Sequence, residues 1–282
     1  MGRGLLLLLL FFGISCSYDP VSSRLKNANQ IAFSNSLQKS LVKTDDFFIM
    51  TYQKITSDKQ PLNVYIEGDG FAWAAPGRLS VNPTPRNPVA LKLASVDESQ
   101  NVAYLARPCQ YIDFDQDALC ESKYWHKSKY SKKVVKSISQ AIDSIKRDND
   151  IKAVNLIGFS GGGGIAAILG ALRDDVVSIR SVAGNLDHVS FNNYHKVDQL
   201  DDSLNAADFT DGLKNIPQLY ISGTNDKVVP SFIAENFVKK IDSKNGCANV
   251  HTLKGVNHHD GWERHWNKLI TKPLECIGKN ES

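Results

Sequence analysis

Residues 153–170 read AVNLIGFSGGGGIAAILG: an apolar run, a serine, four glycines, then a second apolar run. The unbroken apolarity of 151–159 fits a strand buried on both faces of a sheet. The run after the glycines fits a helix packed against that strand. A chain can turn from strand to helix this abruptly only where side chains do not block the approach. The segment therefore predicts a sharp strand–turn–helix unit in the middle of an α/β sheet, with Ser160 at its tip. Gly158 to Gly162 matches G-x-S-x-G in the setting that a nucleophile elbow requires. A phosphate-binding loop would need Lys then Ser or Thr after the glycines, where Ile165 and Ala166 stand. The remaining alternative is a tight packing turn with an incidental serine.

The rest of the chain repeats the alternation. Strands are predicted at 47–55, 62–68, 101–108, 151–159, 176–184, 217–223 and 249–256, and helices at 88–96, 128–147, 164–173, 231–242 and 261–270. Alternating strands and helices imply an α/β fold with a mostly parallel central sheet and helices on both faces. The weakly periodic stretch 184–216 is expected as an insertion over the C-terminal edge of the sheet. With 282 residues, 42% of them hydrophobic, one large domain can bury a sizeable core. A net charge of +3 is too small to point to nucleic acid. The basic, aromatic run KYWHKSKYSKK (123–133) is read as a solvated helix face, and no nucleic-acid partner is expected.

The first 16 residues stand apart: Arg3, an apolar run from Leu5 to Phe12, small residues, then Cys16. The run is shorter than the ~20 residues of a membrane-spanning helix and fits a secretory signal peptide. The ending GISC resembles the lipobox of bacterial lipoproteins, with Gly13 where leucine is usual. It implies lipidation at Cys16, ordinary cleavage and release being the alternative. Residues 17–42 read as a polar tether with room for one short helix, and 43–282 as the folded domain. Four further cysteines in an exported chain favour two disulfides. Of three possible pairings, the local ones, Cys109–Cys120 and Cys247–Cys276, are preferred. With no CxxC pair and no histidine at ligand spacing, no metal site is expected.

A serine nucleophile needs a base, and the base an orienting acid. LYISGTNDKVVP (219–230) is a strand followed by a loop with Asp226, and HTLKGVNHHDGW (251–262) a strand followed by a loop with His258 and His259. Loops at the C-terminal ends of parallel strands are where open α/β sheets carry their chemistry. Asp187, in AGNLDH, is a rival acid. Of the two adjacent histidines only one can face the serine. His188, His195 and His265 are expected to pack or to lie on the surface.

These motifs resemble the α/β-hydrolase fold family over about residues 45–272, most specifically in GFSGGG and GTNDKVVP. More narrowly, VYIEGDGFAW, RPCQY, GFSGGG, NLDH, SLNAADF and HHDGW are similar to a group of α/β-hydrolase lipoproteins of Gram-negative bacteria. The resemblance implies Ser160 as nucleophile, Asp226 as acid (Asp187 the alternative) and His258 as base (His259 the alternative). It implies an oxyanion hole from the N–H of Gly161 and that of Asp69 or Gly70. Where many relatives have His-Gly, this chain has Glu67-Gly68; Glu67 either ties down the loop or caps a turn. The implied activity is cleavage of an ester or related acyl bond of a small-molecule or lipid-like substrate, without cofactor or metal. A peptidase or acyltransferase on the same triad is one alternative, and a non-catalytic envelope binding protein another. Phe71, Trp73 and the aromatics of 191–194 are candidates for an apolar acyl pocket, or for lid core. Cys247–Cys276 is expected to clip the last helix to the strand region that delivers His258, so that reduction lowers activity as well as stability. The lipid anchor implies a membrane partner, and Ser17 after Cys16 points to an outer-membrane lipoprotein facing the periplasm, with a soluble periplasmic or secreted form as the alternative.

Overall fold

The computed structural model describes residues 20–276 apart from 116, 118 and 242–245, so the expected leader over 1–16, with Cys16, lies outside the described residues. The strands are β1 (Gln38–Lys43), β2 (Phe48–Ile55), β3 (Leu62–Ile66), β4 (Trp73–Ala75), β5 (Arg78–Leu79), β6 (Asn101–Leu105), β7 (Val154–Phe159), β8 (Val176–Val182), β9 (Gln218–Gly223) and β10 (Ala248–Leu253). The helices are α1 (Pro20–Phe33), α2 (Val89–Ser95), α3 (Lys132–Asp148), α4 (Gly161–Leu172), α5 (His188–His195), α6 (Phe232–Ile241) and α7 (Glu263–Ile270).

Eight strands form one sheet in the order β1-β2-β6-β3-β7-β8-β9-β10, and β4 and β5 form a separate hairpin. From β6 to β10 every pairing is parallel; β1 and β2 add an antiparallel edge. Side chains alternate along a strand, and the two faces hold two cores. Val64 and Ile66 of β3 pack with Val134 of α3, Ile165 of α4 and Ile233 of α6. Tyr65 packs on the other side with Ala28 of α1, Leu91 of α2 and Trp266 of α7. The expected mostly parallel sheet with helices on both faces is therefore the fold. The segment 184–216 leaves the C-terminal end of β8 as α5 and two 3-10 turns, Ala206–Asp208 and Thr210–Leu213.

Two local expectations are corrected. The stretch 17–42 is not a tether where it is described. Ala28 and Ala32, one turn apart on α1, are fully buried, and β1 pairs with β2. The apolar face of α1 is built largely of alanines, so its polar composition hides it. The run 123–133 is not one helix face either. A 3-10 turn at Ser122–Trp125 buries Tyr124 and Trp125, Tyr130 is buried, and α3 begins only after Ser131 caps it. Lys127 and Lys133 face outward, paired with Asp201 and Asp46.

Cys109–Cys120 and Cys247–Cys276 are both bridged. The second bridge ties the segment after α7 to the start of β10, the strand that leads to His258. Cys247 precedes β10 and His258 follows it, so the length of a six-residue strand, roughly 20 Å, lies between them. Closing a loop with a sequence separation of 29 is worth about 3–4 kcal/mol by the chain-entropy account. Among the described residues no helix is long and apolar enough to cross a membrane.

Candidate active site

Ser160 adopts φ 50° and ψ −119°, a left-handed conformation for a residue with a side chain. Such a backbone costs about 1–3 kcal/mol and persists only where its surroundings hold it. Here the Ser160 N–H donates to Val182 O at 2.9 Å, and its carbonyl accepts from Gly163 N at 3.0 Å and Asn185 N at 2.9 Å. The flanking glycines are required by space. A Cβ on Gly158 would fall 2.2 Å from Gly162 O, and one on Gly162 would fall 2.2 Å from Ile66 O. The turn is tighter than the sequence suggests, because α4 starts at Gly161 itself and not at 164.

The loops after β9 and β10 bring their side chains to this tip. Asp226 Oδ1 accepts from the N–H groups of Val228 and Val229, each at 2.8 Å. Its Oδ2 accepts from His258 Nδ1 at 2.8 Å. With Nδ1 as donor, Nε2 is left to accept from the Ser160 hydroxyl, at 3.1 Å. The His258 ring is buried beside Phe159, and the indole of Trp262 donates to the His258 carbonyl at 3.0 Å. Trp262 in turn is carried by the start of α7, which Trp266 fastens to the sheet by donating to the Tyr65 hydroxyl at 2.9 Å.

The rival residues stand elsewhere. Asp187 caps α5, accepting from the Ser190 N–H at 3.2 Å, and also binds Asn205 at 2.9 Å and Lys240 at 3.3 Å. His259 meets the His258 ring edge-on at 4.9 Å and lies at the cleft mouth, where its carbonyl accepts from Asn87. Burial, then the neighbouring His258 charge, lowers its pKa. His188 is buried and stacked on Tyr130, while His195 lies on α5 with its ring bonded to Val228 O. His265 is exposed on α7.

Gly161 supplies one of the unpaired N–H groups at the start of α4. Among the described residues, no hydrogen bond leaves the N–H of Asp69 or Gly70 in the facing loop. Glu67 resolves as the residue that ties this loop down. Its buried Oε1 accepts from Gly68 N at 2.9 Å and, across the gap to α2, from Ala90 N at 3.4 Å. Burial pushes its pKa up to about 7, against the hydrogen bonds from Gly68, Ala90, Leu91 and Tyr104. The folded value exceeds the ordinary 4.5, so between these two values the native state holds a proton that the unfolded chain has released. Stability accordingly falls as pH rises from about 4.5 to about 7. Glu67→Gln keeps an acceptor and removes the buried charge. It is expected to raise stability at about pH 8 by roughly 3 kcal/mol, with the gain vanishing near pH 4.5. Calorimetry at both pH values checks this; an equal effect at both would show that Glu67 does not titrate in that window.

A cleft of about 620 Å³ opens over Ser160 and His258, walled by Phe71, Trp73, Phe191 and Val228. Phe71, Trp73 and Phe191 thus line it as an apolar pocket would require, whereas Tyr194 packs on His195 and Phe232. Trp73 comes from the β4–β5 hairpin and stays 47% exposed. That hairpin went unpredicted, although Pro76-Gly77, with Gly77 at φ 70°, is a turn signal. Sequence reasoning also missed Lys129 and Arg107, which meet the Asp69 carboxylate.

No protein-family model matches the chain, and no curated protein matches it. Solved structures do. Est1E from Butyrivibrio proteoclasticus superposes with a TM-score of 0.57 at 15% identity, over 82% of this chain and 95% of that one. The Pyrococcus furiosus esterase Pf2001 gives a TM-score of 0.57 at 12% identity, over 84% and 92%. A puromycin hydrolase gives 0.57 at 13% identity over 86% of this chain, which spans 40% of that larger protein. At these identities the likeness concerns architecture, and the architecture is the α/β-hydrolase fold.

Proposed function

We propose that this chain is a serine hydrolase that cleaves a carboxylic ester or related acyl bond. The observation that carries the reading is the unbroken hydrogen-bond line from Asp226 through His258 to Ser160, 2.8 and 3.1 Å long, ending on a strained elbow. Ser160 Oγ attacks the carbonyl carbon as its proton passes to His258 Nε2. Asp226 holds the imidazole and stabilises its cation. The N–H groups of Gly161 and of Asp69 or Gly70 receive the oxyanion. His258 then protonates the leaving group, and water resolves the acyl-enzyme by the same steps in reverse roles. The apolar cleft walls suit a small-molecule or lipid-like acyl group. Neighbours named as esterases favour the ester. The neighbour named a puromycin hydrolase keeps amide cleavage as the second reading. A purely binding role would leave the strained serine without a purpose.

The same proposal includes export and anchoring through lipidated Cys16 at the cell envelope, on the periplasmic side of the outer membrane. Two disulfides suit an oxidising compartment. One experiment tests both parts. In a Gram-negative host, a fluorophosphonate probe is expected to label wild-type protein in the detergent phase. The label should vanish in Ser160→Ala, and in Cys16→Ser it should appear on an uncleaved or an aqueous species. Absence of wild-type labelling would overturn the hydrolase reading, and aqueous wild-type label the anchor.

A further inference from the structure

Three loops meet at one carboxylate beside the elbow. Asp69 follows β3, Arg107 follows β6, and Lys129 precedes α3. The Lys129 ammonium donates to Asp69 Oδ2 at 2.6 Å, and the Arg107 guanidinium to Oδ1 at 3.4 Å. Arg107 also donates to the Lys129 carbonyl, so the two cationic residues are tied to each other. The side chains are 22% exposed for Asp69, 15% for Lys129 and 5% for Arg107. A Cβ on Gly161 would fall 2.0 Å from Asp69 Oδ1. The space beside this glycine is therefore occupied by a carboxylate, resting against the residue that follows Ser160.

We propose that Lys129 and Arg107 compensate the Asp69 carboxylate at the oxyanion site, and that Lys129 is thereby a positioning residue for acyl transfer; this rests on the reading of Ser160 as nucleophile. The argument is one of sign. An oxyanion held by the Gly161 N–H forms close to a carboxylate that, alone, would oppose it. With both cations the cluster carries −1 + 2 = +1 and favours the anion. Burial pushes the Asp69 carboxyl up, but Lys129 and then Arg107 bring it below its ordinary value, so it stays ionised. Asp69 faces Lys129, Arg107, the Tyr130 hydroxyl and His258. His258 faces Asp226, His259 and Asp69, with Glu67 at the foot of the same loop. Removing Lys129 exposes His258 to a less compensated negative charge.

For a p-nitrophenyl ester, Lys129→Met is expected to lower kcat about 30-fold while KM changes less than about twofold. Lys129→Arg should retain most of the rate. The double variant Asp69→Asn/Lys129→Met removes both charges and should recover about tenfold over Lys129→Met. A double variant no better than the single one overturns the proposal. So does a rise in KM at constant kcat, which would make Lys129 a substrate contact. Fluorophosphonate titration counts competent sites in every variant and corrects for misfolded protein. Wild type that titrates no site overturns this proposal together with the nucleophile. Wild type that titrates, with Lys129→Met equally active, overturns this proposal alone.

Discussion

Ser160→Ala is expected to slow hydrolysis of a short p-nitrophenyl ester by about 10⁴-fold or more, with melting temperature and circular dichroism close to wild type. The side chain makes one hydrogen bond, to His258 Nε2 at the floor of an open cleft, so its loss leaves no sealed, unpaired group. The elbow is held by backbone contacts to Val182, Gly163 and Asn185, and alanine keeps all of them. What remains is a cleft that binds the ester and polarises it without attacking it. Undiminished turnover in a preparation free of host esterases would remove Ser160 from the mechanism.

His258→Ala should cost about as much as Ser160→Ala, because nucleophile and base act as a unit. His259→Ala, at the mouth, should change the rate by less than about tenfold. The acid is probed more finely by Asp226→Asn. An amide still accepts the Val228 and Val229 N–H groups but turns an NH₂ toward His258, favouring the wrong tautomer. A loss on the order of 10⁴-fold follows. Asp187→Asn keeps an N-cap of equal rank and gives up only the ion pair with Lys240, so it should cost less than about 1 kcal/mol and leave the rate nearly intact. Steady-state rates and melting curves of the four variants separate these effects. A reversed ranking would transfer the role to the rival residue.

The elbow was legible because its physics is local. A buried strand, a turn and a helix lie consecutively in the chain, and the glycines mark where backbones touch. Asp226 and His258 were legible because each follows a strand of a parallel sheet, whose loops all emerge at one end. His258 was favoured over His259 by its place three residues beyond Gly255, and it is the His258 ring that lies between Asp226 and Ser160. α1 escaped notice because alanines form much of its contact surface, and β1 because it buries one residue of six. Lys129 escaped for a different reason. Nothing within a basic run distinguishes the lysine that turns inward from those that face solvent. The carboxylate it meets lies 60 positions away. Glu67 drew attention as a departure from His-Gly, but its role depended on where the start of α2 would lie.

The four tryptophans of the chain give the site an optical readout. Trp262 holds the backbone of His258, and Trp266 fastens the same helix to Tyr65, both in fully buried positions. Trp125 is buried, with its indole bonded to Ser80 O. Trp73 alone stands at the cleft mouth, half in solvent. A ligand entering the cleft therefore alters the emission of one indole, while release of the loop that carries His258 moves two others into water. Occupancy and loss of the base are spectrally distinct events in the unmodified chain, and intrinsic fluorescence follows each of them without a label.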